Sequence, residues 1–221
     1  MKKIKLLILL LLSLSVYFIH QKTKDTKETI LVLGDYLSEG IDSYHSHTYT
    51  YIDYYKEYSN KQKVKIINYS KKDLSLKELL NNLKMTPSLK KDLREANTLL
   101  LNLGYSDLVF KLSLEENKNL EKIIEEIDSI YKELIQEIRK YYKERIMVIG
   151  YPSSYKEDYY LNQGIKELNK VLRKELLPTD IFINTYELLK EKEKYFSNPN
   201  SNYPNSLAYQ IIGKEIINKI Q

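Results

Sequence analysis

Short apolar runs alternate with longer amphipathic stretches along this chain. Ile30–Leu33 is wholly apolar and stops abruptly at Gly34-Asp35, and Val64–Ile67, Leu99–Leu103, Arg145–Ile149 and Ile181–Ile183 are similar short runs. Apolar runs of this length, bounded by polar or turn-forming residues, read as buried strands. Between them, apolar positions at helical spacing predict helices over Tyr49–Tyr58, Leu74–Leu83, Leu120–Tyr142, Tyr159–Leu176 and Ser206–Ile220. The longest carries Leu120, Ile123, Ile127, Ile130, Leu134 and Ile138 on one stripe. Pro87 is expected to limit the structure after the second of these helices. Strand–helix alternation predicts an α/β fold with a parallel sheet covered on both faces. Right-handed crossovers then give a three-layer α/β/α sandwich with a flavodoxin-like five-stranded sheet.

The amino terminus has a different pattern. Met1–Lys5 is basic, and Ile4–Ile19 is almost wholly apolar, with Ser13 and Ser15 as exceptions. The run is slightly short for a membrane span of roughly 17–25 residues and long for a signal-peptide core of about 7–15. Ser13-Leu14-Ser15 offers a small-x-small cleavage pattern, yet Val16–Ile19 continues apolar beyond it. The expectation is an uncleaved anchor over residues 1–20, with a cleaved signal and a secreted domain as the alternative. Basic residues ahead of the span put the rest of the chain outside the cytoplasm. Gln21–Glu28 is a polar tether, and residues 29–221 form one domain without internal repeats.

Composition narrows the chemistry. Of the net charge of +5, Lys2, Lys3 and Lys5 supply three, leaving +2 for the remainder. Lysines and glutamates are interspersed along the helical stretches, as on solvated faces, which argues against a nucleic-acid partner. The chain has no cysteine, so disulfides, thiolate catalysis and cysteine metal sites are excluded. His45-x-His47 lacks an evident third metal ligand, and no cofactor motif is present. Tyrosine occurs 21 times, alongside abundant Lys, Ile and Asn.

The segment Thr29–Gly40, TILVLGDYLSEG, resembles the first motif block of the SGNH (GDSL) hydrolases, a family of esterases, lipases and acetyl-ester hydrolases. The resemblance extends in order through Asn68-Tyr69-Ser70-Lys71-Lys72-Asp73, Leu103-Gly104-Tyr105-Ser106-Asp107-Leu108 and Asn200-Ser201-Asn202-Tyr203-Pro204-Asn205. Gly34-Asp35, Asn68, Gly104, Asp107, Pro204-Asn205 and Tyr209 keep the frame. The resemblance implies that Tyr36 stands at the serine nucleophile. Lys72, or Lys71 on a one-residue slip, stands at the oxyanion glycine. Ser106 replaces the oxyanion asparagine, Asn200 the aspartate and Tyr203 the histidine. Asp35 and Asp107 are expected to hold loops by accepting backbone hydrogen bonds.

Ester hydrolysis by the family route needs a base that takes the nucleophile's proton and returns it to the leaving group. A phenol with a pKa near ~10 keeps its proton at neutral pH. The expectation is therefore an inactive, membrane-anchored extracytoplasmic module. Its partners would be a glycan, an acylated polymer or an envelope protein, with Tyr36, Tyr105 and Tyr203 rimming or plugging the old cleft. One alternative is a divergent ester hydrolase with a displaced nucleophile, Ser38, served by His45 and Asp35 or Asp42. Another is a structural envelope protein that uses the outer face of Leu120–Tyr142 for interaction.

Overall fold

A computed structural model describes residues 28–41, 46–59, 64–114, 119–155, 158–199 and 201–220. The apolar stretch Ile4–Ile19 and the tether through Lys27 lie outside the described residues. Among the described residues, no helix is long and apolar enough to cross a membrane.

Five strands form one parallel sheet: β1 (Glu28–Gly34), β2 (Val64–Asn68), β3 (Thr98–Asn102), β4 (Ile146–Ile149) and β5 (Ile181–Ile183). Their spatial order is β2-β1-β3-β4-β5, the flavodoxin-like order. Leu31 is flanked by Ile67 on one side and Leu99 on the other. Ile30–Leu33 are fully buried although their side chains alternate between faces, so both faces of the sheet are covered. Glu28, which the polarity pattern assigns to the tether, is the first residue of β1. Its carboxylate accepts from the Tyr55 hydroxyl at 2.9 Å and from Thr98 Oγ1 at 3.0 Å.

The helices are α1 (Tyr36–Glu39), α2 (Tyr51–Tyr58), α3 (Leu76–Met85), α4 (Pro87–Glu95), α5 (Tyr105–Leu114), α6 (Leu120–Tyr141), α7 (Tyr159–Lys174), α8 (Thr185–Leu188), α9 (Lys192–Tyr195) and α10 (Ser206–Ile220). α2 packs against α10, whereas α6 packs against α3, α4, α5 and α7. Caps fix several of the boundaries. Thr50 and Asp53 form a capping box, so α2 begins two residues later than the apolar spacing suggests. Ser75 accepts from the Glu78 amide and opens α3. Pro87 does not limit helix formation here: it occupies the first turn of α4, where its missing N–H costs nothing.

A half-buried ion pair ties the second helical group to the sheet. Arg139, near the end of α6, donates to both Asp180 carboxylate oxygens at 2.5 Å and to the Glu144 carbonyl at 2.6 Å. Asp180 also accepts the backbone amides of Ile146 and Leu177, both at 2.8 Å. One carboxylate therefore joins α6, the start of β4 and the turn before β5, and its side chain is only 1% exposed. Asp180→Ala leaves a shielded guanidinium and two amides without their acceptor, and should lower unfolding free energy by about 3–5 kcal/mol. Glu167→Ala, at the exposed Lys170 pair, should cost less than about 1 kcal/mol. Urea-unfolding midpoints check both, and equal costs would contradict this role for Asp180.

Candidate functional site

The carboxyl ends of β1, β2 and β3 converge on one cleft, as expected beside the β1/β3 switch point of such a sheet. Gly34 ends β1, and a Cβ there would sit 2.2 Å from Ser38 Oγ and 3.1 Å from the Asn102 carbonyl. Only glycine allows the chain to turn so tightly onto β3. Asp35 follows, its amide donating to the Asn102 carbonyl at 2.9 Å and its carboxyl capping α1 through the Leu37 amide at 3.4 Å. Across β3, Gly104 adopts φ +115°, a conformation that side chains rarely allow, and starts α5.

Three loops are then tied together by hydrogen bonds. The Lys71 amide donates to the Gly34 carbonyl at 3.0 Å. The Lys72 amide donates to the Glu39 carboxylate at 2.5 Å. Ser106 Oγ donates to the Lys72 carbonyl at 3.1 Å, and Asp107 accepts the Leu76 amide at 3.0 Å. The Lys72 amide and the Ser106 hydroxyl stand at the oxyanion-donor positions implied by the resemblance, and each is already engaged within the protein.

Tyrosine rings fill the centre. The Tyr36 centroid lies 4.9 Å from Tyr105, 4.9 Å from Tyr203 and 6.1 Å from Tyr151, and Tyr105 stacks on Tyr151 at 5.4 Å. Such distances suit attractive edge-to-face and offset arrangements. Tyr36 is buried, so it forms the floor of the cleft and not its rim. Tyr203 is half-buried at the mouth, with Lys72 Nζ 5.8 Å from its ring centroid. The Lys72 ammonium also donates to its phenol oxygen. Tyr105 bonds the Asn202 side chain, which in turn accepts from the Ser154 hydroxyl.

Tyr151 comes from the loop after β4 and was not singled out by motif. Its hydroxyl donates to the Asp35 carboxyl at 2.5 Å. Asn169 on α7 fixes this loop by bonding both the amide and the carbonyl of Tyr151 at 2.8 Å. Its one legible signal is position, directly after the Gly150 that ends a strand of a parallel sheet. Asp35 has no exposed surface. Burial pushes its carboxyl well above the usual carboxylate range, against the lowering effect of the Tyr151 hydrogen bond. Burial likewise raises Tyr36, Tyr151 and Tyr203 and, more modestly, Asp107.

The cleft encloses about 490 Å³ and is lined by Tyr36, Lys72, Ser106 and Tyr203 together, within the ~300–1,000 Å³ of small-molecule sites. Asp73, Ser75 and Ser113 add polar groups, and Val109 and Phe110 form an apolar wall. Asn200, His45 and Asp42 lie outside the described residues. Ser38 is fully buried, with its Oγ 2.6 Å from the Tyr51 hydroxyl, and does not line the cleft. His47, the only histidine among the described residues, lines a separate depression with Thr48, Asp53 and Asn68. Among the described residues, no group of three or more His, Asp or Glu is arranged to hold a metal ion.

No family model matches the chain, and no curated protein matches it significantly. Solved structures do. A lipase from a goat rumen metagenome superposes with a TM-score of 0.72 at 20% identity, covering 86% of this chain and 96% of its own. An acetylxylan esterase from Geobacillus stearothermophilus, as a catalytic serine mutant, gives 0.65 at 13% identity, with 87% and 94% covered. A lipase/acylhydrolase from Enterococcus faecalis gives 0.62 at 16% identity, with 87% and 95% covered. The fold is that of the SGNH/GDSL-type hydrolases. Further catalytic mutants of the esterase replace an aspartate and a histidine three residues apart, the spacing of Asn200 and Tyr203 here.

A carboxyl whose pKa rises on folding favours the folded state while protonated. That contribution is complete below the unfolded value of about 3.9 and is lost as pH climbs toward the folded value. Asp35→Asn keeps an acceptor for Tyr151 and carries no titratable proton. Its stability relative to the parent protein should therefore increase as pH rises above the unfolded value of about 3.9, measured by urea unfolding. A difference that shrinks over that rise would contradict a neutral Asp35.

Proposed function

We propose that this protein is a catalytically silent SGNH-fold module, held outside the cytoplasm by Ile4–Ile19, that binds a hydroxyl-rich, acyl-bearing saccharide in its cleft. The observation carrying this reading is the state of the groups at the inherited positions. Tyr36 and Tyr203 hold their protons, the Lys72 amide and the Ser106 hydroxyl are spent within the protein, and Asp35 is buried under Tyr151. No described side chain in the cleft combines a free hydroxyl with a base oriented to activate it. Loss of one oxyanion donor costs about 10²–10³ in rate, and loss of triad members leaves only about 10³–10⁴ over water.

Binding remains chemically available. Half-buried Tyr203 offers a ring face for the C–H surface of a sugar. Asp73, Ser75 and Ser113 offer acceptors and donors for hydroxyls, and Val109 and Phe110 offer an apolar seat for an acyl substituent. The neighbours named as acetylxylan esterase and lipase support an ester-bearing ligand. Membrane attachment rests on the hydropathy pattern of the amino terminus.

Two measurements test the reading. Turnover of p-nitrophenyl acetate and acetylated xylo-oligosaccharides should not exceed that of Tyr36→Ala, and saturable turnover lost in that variant would overturn silence. Calorimetric titration with the same oligosaccharides should give binding that weakens at least about 10-fold in Tyr203→Ala, the loss of roughly 1.4 kcal/mol. Undiminished binding would remove the cleft from the account.

A further inference from the structure

Because every strand is parallel, all amino ends lie on one edge of the sheet and all carboxyl ends on the other. The cleft is built on the carboxyl edge, from Tyr36 after β1, Lys72 after β2 and Ser106 after β3. The chain arrives from its amino terminus at the opposite edge. It is fixed there at Glu28, whose carboxylate is held by Tyr55 and Thr98. The next residue is pinned as well, since the Thr29 amide donates to Asn97 Oδ1 and the Asn97 amide to the Thr29 carbonyl, both at 2.8 Å. β1 lies inside the sheet between β2 and β3, so the point of arrival is central on that edge.

From this geometry we infer that the cleft opens away from the membrane and meets ligands presented from the outer space, not lipids of the bilayer that holds the domain. The inference rests on the anchored reading above. It follows from reach. Seven residues, Gln21–Lys27, separate the apolar segment and its flanking His20 from β1, and seven residues span at most about 25 Å. For the cleft to face the bilayer, the tether must first round a helical layer about 10 Å thick. It must then run the length of β1, seven residues or about 23 Å. That path of about 33 Å exceeds the tether. The exposed apolar side chains near the cleft, Phe110 at 63% and Val109 at 39%, are therefore kept from inserting into that membrane. They are left as a seat for a substituent of an envelope saccharide.

The absence of cysteine makes the test direct. The full chain is reconstituted in phosphatidylethanolamine–phosphatidylglycerol vesicles that carry a headgroup energy acceptor. A donor dye is placed at Lys71→Cys, on the cleft edge outside the lining, or at Lys143→Cys, exposed before β4. Transfer should be several-fold more efficient from position 143 than from position 71. Inserting twenty Gly/Ser residues after Lys27 should bring the two efficiencies together. Equal or reversed transfer in the unextended chain, with the protein floating with the vesicles, overturns the orientation while the anchored reading stands. Failure to float with the vesicles overturns the anchored reading and the orientation with it.

Discussion

The hydrogen bond from Tyr151 to Asp35 is the constraint on which the rest of the site depends. Asp35 is at the switch point of the sheet, without exposed surface, and among the described residues its carboxyl is held by the Tyr151 hydroxyl and the Leu37 amide. A carboxyl in that position is costly when ionised, so burial raises its pKa well above the usual carboxylate range, and it takes a phenol as neighbour. Tyr151 in turn stacks on Tyr105, and both rings close over Tyr36. The cluster is held together by neutral hydrogen bonds and aromatic packing, where a hydrolase of this fold needs a mobile proton. A centre built this way ties three loops together, and in the silent module proposed above the same contacts occupy the groups that acid–base catalysis would use.

Much of this was legible in the chain itself, for physical reasons. Fully buried parallel strands read as unbroken apolar runs, and so β1 and β3 stand out. The order of the four motif blocks then predicted which loops meet. Other features were illegible because they depend on direction and not on residue type. Ser38 is the right residue to replace a nucleophile, yet its hydroxyl turns toward Tyr51, beneath the close approach that Gly34 permits. Ser106 is a donor at a donor's position, but it is spent on the Lys72 carbonyl. Tyr151 belongs to no motif block, and only the sheet brings it to Asp35. α4 and α5 were missed for local reasons. Pro87 is a helix breaker in the interior and a good first residue, and α5 begins inside the third block, at its tyrosine, where no helix is expected from apolar spacing.

Topology joins the site to its surroundings. A parallel sheet separates the edge that receives the chain from the edge that forms the cleft. In the anchored module proposed above, a short tether preserves that separation at the membrane. The proposed module therefore offers its aromatic floor and apolar wall outward, where a substituted saccharide could be held without being cleaved. Asp107 on the Leu76 amide and Gly104 in its unusual conformation hold the shape of the cleft.

In the silent module proposed above, no side chain is acylated through the mechanism of the SGNH hydrolases. The most direct measurement of this is intact-mass and peptide-mapping spectrometry of the full chain after brief exposure to an activated acetyl ester, quenched in acid before any intermediate can hydrolyse. The expected result is an unmodified cleft, with any acetylation confined to surface lysines and equal in Tyr36→Ala. A single acetyl group carried on Tyr36, Ser38 or Ser106, formed rapidly and discharged on further incubation, would contradict it.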